Sequence, residues 1–191
     1  LLARFGLAVV PTRGAASADA AATVAAELGY PVVLKTDEPG IEHRARVGGV
    51  RLGITDEPAL RAAYDALAAR CGPRVVVQPQ LTGPEVSLGV VRDAAVGPVL
   101  VLAVGGSRIE ELSRRVLALP PLAPGPAERL VARFSRLLPG VDLTGLPEAV
   151  AGLSRLAVAL GGQLAALDVN PMVLTGDGPV AVDALVQPVS G

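Results

Sequence analysis

Residues 17–36 read SADAAATVAAELGYPVVLKT, and this stretch decides the fold class. Ser17 is an N-cap residue type, Val24 and Leu28 lie four apart on an alanine-rich run, and Gly29 supplies a stop, so a helix is predicted over 18–28. Pro31 to Thr36 follows as a short, apolar, β-branched run closed by a lysine, which reads as a buried strand. Helix followed directly by strand makes the first unit α/β in character.

Working outward, Asp37 to Gly49 holds Pro39, Gly40, Gly48 and Gly49 among alternating charges and is predicted to be a loop. A strand is predicted over Val50 to Ile54. An amphipathic helix from Asp56 to Cys71 follows, with Leu60, Tyr64, Leu67 and Cys71 on its stripe. Further strands are expected at Arg74–Gln80, Glu85–Val91 and Pro98–Val104, and helices from Pro126 to Leu137 and from Leu146 to Leu160. The C-terminal part reads as strands 163–169, 172–175 and 179–185, the last two joined by a Gly176-Asp177-Gly178 hairpin. Interleaved helices, strands and hairpins give an α+β, or mixed α/β, fold, with two lobes expected at residues 1–80 and 81–191.

Composition narrows the function classes. The 191 residues carry 17 basic and 18 acidic side chains, and aromatics make up 2%. The chain therefore lacks the basic footprint and stacking platforms of a nucleic-acid binder. One cysteine forms no internal disulfide and fits a reducing compartment. Mean hydropathy is +0.50. The longest apolar stretch, Ala149 to Val169, is nevertheless interrupted by Arg155, Gly161 and Gly162, so no membrane span is expected. The opening Leu1-Leu2-Ala3-Arg4-Phe5 has neither Met nor a signal layout, and the chain is expected to be a piece of a longer cytoplasmic protein.

Several residues carry chemistry. Lys35 is the only lysine among the 17 basic residues; it reads either as a compact ammonium that contacts phosphate or as a strand-end lysine snorkelling to water. His43, the only histidine, lies between Glu42 and Arg44-Ala45-Arg46; it is either a phosphoryl-accepting nucleophile or a solvated loop residue. Asp168 and Asn170 are two apart on a strand candidate and share a face, and Asp183 lies on the far arm of the next hairpin. Together they offer the hard oxygen set that Mg²⁺ takes alongside phosphates, although Asp and Asn at strand ends also serve turns. Gly105-Gly106, followed by Ser107 and Glu110, either brings backbone N–H groups to a phosphate or forms a plain turn. Glu85 either accepts from a ribose hydroxyl or is a solvated strand-end acid.

Taken in order, Gly29 to Lys35, Ile41-Glu42-His43-Arg44 with Val47-Gly48-Gly49-Val50, Val77-Gln78-Pro79, Gly83 with Glu85, Gly105-Gly106 with Glu110, Asp168-Val169-Asn170-Pro171 and Val182-Asp183-Ala184 span nearly the whole chain. This series resembles the ATP-grasp domain of the NDP-forming acyl-CoA synthetases, which include ADP-forming acetyl-CoA synthetase and, more distantly, succinyl-CoA synthetase β subunits. The resemblance implies two α+β lobes clasping Mg-ATP, with Val77 and Gln78 at the hinge beside adenine. It gives Lys35 to an ATP phosphate, Glu85 to the ribose, and Asp168, Asn170 and Asp183 to Mg²⁺. It makes His43 a carrier that shuttles phosphate while acid, CoA and ATP interconvert with acyl-CoA, ADP and phosphate. The implied partners are CoA-binding and ligase domains or a separate subunit.

The chain departs from the family pattern at three places. His43-Arg44-Ala45-Arg46 stands where the family usually reads His-Lys-Ser-Asp, Arg114 replaces an acid, and the Arg-Gly segment usually found near residue 140 is missing or shortened. Arg46 and Arg114, each in place of an acid, reverse local charge. They keep open an alternative, a ligand-sensing or scaffolding module of a protein fused to a GNAT acetyltransferase. An unrelated α/β binding domain is the third reading.

Overall fold

The computed structural model describes residues 1–41, 44–105 and 114–189. In chain order its elements are β1 (Ala8–Val9), β2 (Arg13–Ala15), α1 (Ala18–Leu28), β3 (Val32–Thr36), β4 (Val50–Ile54), α2 (Glu57–Cys71), β5 (Val75–Pro79), β6 (Glu85–Asp93), β7 (Gly97–Val104), β8 (Arg115–Ala118), α3 (Pro124–Phe134), α4 (Leu146–Leu160), β9 (Leu164–Thr175), β10 (Gly178–Ala181) and β11 (Ala184–Pro188). The mixed α/β class expected from the sequence is the one observed. The chain divides into a unit of residues Val10–Leu81 and a unit made of Leu1–Val9 with Thr82–Gly191. Among the described residues no helix is long and apolar enough to cross a membrane.

The Val10–Leu81 unit is an antiparallel sheet in the order β2-β5-β3-β4 with α1 and α2 on one face. Both helices start where local chemistry satisfies their free N–H groups: Ser17 Oγ accepts from Ala20 N at 3.2 Å, and Asp56 Oδ1 accepts from Ala59 N at 2.8 Å. Both end with a glycine N–H closing on the last turn, Gly29 on Ala25 O and Gly72 on Ala68 O. Leu60, Tyr64 and Leu67 of α2 pack with Ala21 and Ala25 of α1 onto Val32, Leu34, Val75 and Val77. Cys71, expected on the same stripe, is only half-buried at the helix end.

The other unit is a seven-stranded sheet in the order β1-β10-β9-β6-β7-β8, with β11 also paired to β9. Its core joins α3 and α4 to one face of the sheet: Phe134, Leu146, Leu153 and Leu156 meet Leu88, Leu100, Leu102 and Leu167. Burial of each such side chain stabilises by about 1.5–3 kcal/mol relative to exposure. Residues 1–9, expected in the first lobe, belong here. β1 pairs in parallel with β10, Leu2 and Leu7 enter this core, and Arg155 on α4 donates to Phe5 O at 3.1 Å.

Two expectations are corrected in the C-terminal part. Segments 163–169 and 172–175 form one strand, β9, which runs through Pro171. Proline lacks an N–H for the ladder, and the sheet accommodates it with a register shift on β6: Val86 pairs with Met172 and Leu88 with Val169, so Asn170 and Pro171 together oppose Ser87. Conversely, the expected strand 179–185 divides into β10, which pairs with the second half of β9, and β11, which pairs with the first half. Val182 N donates to Pro171 O and Asn170 N donates to Asp183 O, both at 3.0 Å, at the point where β9 changes partner.

Candidate functional site

In the Val10–Leu81 unit the candidate residues lie on β3 and β5. Every residue of β3 is buried, and Val32 and Leu34 turn toward the helices. Strand alternation therefore places Val33 and Lys35 on the opposite face, where the register sets them beside Gln78 and Val76. Lys35 is 5% exposed, so its side chain does not simply snorkel to water. Gln78 Nε2 donates to Thr12 Oγ1 at 2.8 Å, and Thr12 Oγ1 donates to Val10 O at 3.0 Å. Val77 is fully buried in the helix-side core, so of the Val77–Gln78 pair only Gln78 presents its side chain on the face that carries Lys35.

The segment after β3 is held by backbone contact. Thr36 N donates to Gly49 O, and Gly49 N donates to Arg44 O, both at 2.8 Å. A Cβ on Gly49 would sit 2.5 Å from Thr36 Cγ2, so the close approach requires glycine here. Arg44, which stands where the family usually has lysine, pairs with Asp37 at 3.3 Å. Glu42 and His43 lie outside the described residues.

In the other unit the sheet face turned away from α3 and α4 forms a cleft of about 400 Å³. Val86, Leu88 and Val90 of β6 point into the core, which leaves Glu85, Ser87 and Gly89 for the cleft side. Ala103, in register with Ser87, and Ala166 on β9 keep the floor low. Asp168 lines the cleft and is exposed, and Ser87 Oγ donates to its Oδ1 at 3.0 Å, which fixes one carboxylate oxygen. Gly105 closes one end. Its N–H donates to Glu85 O at 2.9 Å, and a Cβ there would lie 2.7–2.9 Å from the backbone of Val86 and Glu85. Glu85 itself is exposed.

Asn170 and Asp183 are joined through their backbones, and Asp183 Oδ1 also accepts from Ala184 N at 3.0 Å. This brings the backbones of two of the three candidate residues together, two residues along β9 from Asp168. The set is hard, neutral-to-anionic and partly exposed, which suits a cation that keeps some of its water. Among the described residues no three His, Cys, Asp or Glu side chains gather as a metal cluster. The candidate set relies instead on two carboxylates and an amide.

Arg114 donates to Leu137 O at 2.6 Å, so its guanidinium is engaged with a carbonyl at the end of the turn that follows α3. Gly106, Ser107 and Glu110 lie outside the described residues. Ser87, Gly89 and Arg115 line the cleft without having been singled out from the sequence. The signal for the first two was present: small residues at 87 and 89 alternate with the apolar residues Val86, Leu88 and Val90.

The model of a family described as an ATP-grasp domain matches residues 1–187. The ADP-forming acetate–CoA ligase I of Archaeoglobus fulgidus is 28% identical over 199 residues, a match covering 96% of this chain and 29% of that protein. The β subunit of ADP-forming acetate–CoA ligase I of Pyrococcus furiosus is 27% identical over 201 residues, covering 96% of this chain and 86% of the subunit. A solved structure of the dinucleotide forming acetyl-coenzyme A synthetase 1 of Ca. Korarchaeum cryptofilum superposes with a TM-score of 0.83 at 26% identity, covering 98% of this chain and 88% of that one. That protein was captured with coenzyme A and Mg-AMPPCP, its phosphohistidine segment pointing towards the nucleotide binding site. The chain thus spans less than a third of the Archaeoglobus ligase and most of the separate β subunit.

Proposed function

The chain belongs to the ATP-grasp domain family, like the corresponding parts of ADP-forming acyl-CoA synthetases, and from that premise we propose that it binds ATP with Mg²⁺ and exchanges the terminal phosphate with His43. Lys35, positioned by a fully buried strand, supplies a fixed positive charge to the phosphates. Gln78 lies beside the adenine, Glu85 takes the ribose, and Gly105, whose own N–H is held by Glu85 O, bounds the cleft. Asp168, Asn170 and Asp183 hold the metal. Bound there, Mg²⁺ supplies charge neutralisation for the phosphate oxygens.

The transfer itself needs only a nucleophile and a leaving group. A neutral imidazole nitrogen of His43 gives its electron pair to the terminal phosphorus, the bond from that phosphorus to the bridging oxygen breaks, and ADP leaves with that electron pair. The reverse step regenerates ATP. The acyl and CoA chemistry falls to CoA-binding and ligase domains or a partner subunit, and a cytoplasmic location belongs to the same reading.

The observation that supports the proposal is the Asn170 N–Asp183 O bond, which joins the backbones of two of the three candidate metal residues, two positions along β9 from Asp168. Its test is incubation with γ-labelled Mg-ATP. Acid-labile label is expected on the wild-type chain and none on His43→Ala; label that survives the substitution overturns the carrier role. The arginines at 46 and 114 favour a second reading, a module that binds nucleotide for sensing or scaffolding, including the GNAT-fused form. Mg-ATP binding with no label on His43 is the outcome that selects it.

A further inference from the structure

We propose that Thr12 makes the site selective for adenine over guanine nucleotides by fixing which end of the Gln78 amide the base meets; the inference rests on the nucleotide reading above, which sets Gln78 beside the base. Arg13 pairs with Val77 where β2 meets β5, so Thr12, one residue before β2, comes beside Gln78. Both contacts of its hydroxyl lie within the Val10–Leu81 unit. Gln78 Nε2 donates to Thr12 Oγ1 at 2.8 Å, and Thr12 Oγ1 donates to Val10 O at 3.0 Å.

A hydroxyl has a single proton to give. Val10 is buried, at 2% exposure, and its carbonyl takes that proton. A buried carbonyl deprived of its donor is costly, so the proton stays there. Toward Gln78 the hydroxyl is then an acceptor, and only the NH₂ end of the amide fits against it. Turning the amide over would set Oε1 against Oγ1, two acceptors with no proton between them. Gln78 is itself only 5% exposed, so that mismatch would fall in a largely buried place, where it costs most. The amide is thereby locked with Nε2 on Thr12 and Oε1 turned away from it.

The lock decides what a neighbouring base has to offer. Oε1 is an acceptor, and position 6 of adenine carries an amino group, which donates. Position 6 of guanine carries a carbonyl oxygen, a second acceptor. Adenine completes a hydrogen bond at Gln78, whereas guanine sets acceptor against acceptor. Thr12 acts on the base only through Gln78 and is a positioning residue.

Calorimetric titration of the wild-type chain, Thr12→Val and Thr12→Ser with Mg-ATP, Mg-GTP and Mg-ITP tests this directly. ITP carries oxygen at position 6 without the 2-amino group of guanine, so it isolates that position. The wild-type chain and Thr12→Ser should bind ATP about tenfold or more tighter than either of the others. Thr12→Val frees the amide to turn, and the preference should fall to within about threefold. Equal wild-type affinity for ATP and ITP overturns the inference without any variant. So does a preference that Thr12→Val leaves unchanged or that Thr12→Ser abolishes, and in each case the nucleotide reading stands. A wild-type chain that binds none of the three overturns both. The melting temperature of each variant is the control for folding.

Discussion

Lys35 and Asp168 are the two charges on which the proposed chemistry rests, and they occupy opposite kinds of environment. Lys35 sits in a five-residue strand buried along its whole length, whereas Asp168 is exposed on a twelve-residue strand whose inward neighbours Leu167 and Val169 are buried. A buried cation is held in one place by its packing and is costly to disturb. An exposed acid is cheap to replace in stability terms and owes its orientation to a single hydroxyl. Stability and ligand affinity should therefore come apart at one residue and stay together at the other.

The sharpest test is the pair Lys35→Ala and Asp168→Ala. Both should lose about tenfold or more in Mg-ATP affinity by calorimetry. Only Lys35→Ala should also cost about 2–4 kcal/mol in denaturant unfolding, since it empties a packed, buried position. Equal stability losses would erase the contrast.

Two glycines extend the comparison to the backbone. Gly105→Ala drives a Cβ to within 2.7 Å of the Val86 backbone, while a Cβ on Gly14 of β2 meets nothing within 4 Å. The first should destabilise by about 1–3 kcal/mol and the second should be near neutral. Paired thermal melts decide it, and a neutral Gly105→Ala would mean that the β6–β7 end yields easily.

A smaller effect is expected at Ser87→Ala, which removes the hydroxyl that orients Asp168. Loss of one hydrogen bond of about 0.5–1.5 kcal/mol predicts a two- to tenfold rise in the Mg²⁺ concentration needed for ATP binding, with little change in stability. No change in that requirement would show that Asp168 needs no orienting partner.

The smallest effect concerns pH. Asp93 accepts from Ala95 N and Val96 N in the β6–β7 turn, and these bonds hold its carboxyl below the usual carboxylate range. A depressed folded-state pKa adds stability above the unfolded value and loses it as pH falls through the folded one. Melting temperature should decline in acid, and Asp93→Asn should flatten part of that decline. An unchanged acid limb would remove Asp93 from the account.

What was legible in the sequence follows the same division between local and distant causes. α1 and α4 were readable to the residue, because helical spacing and end signals lie within the segment itself. β1, β2 and β8 are not legible: at two to four residues they carry no pattern, and the partners of β1 and β2 lie far along the chain. Pro171, a ladder breaker by type, predicts two strands where β9 is one, and only the register shift opposite Ser87 shows how the sheet keeps it. At the site, Lys35, Gly105 and Asp168 could be named by residue type and position. Arg115 could not, since its place beside Ala103 depends on a pairing the sequence does not display.

The central claim is that this chain carries a metal-dependent nucleotide site, and calorimetric titration with ATP in the presence and absence of Mg²⁺ tests it most directly. The account predicts binding with Mg²⁺ at a dissociation constant of roughly 100 μM or tighter, about 5.5 kcal/mol, and at least tenfold weaker binding without the metal. Equal affinity in both conditions, or no heat of binding in either, would contradict it.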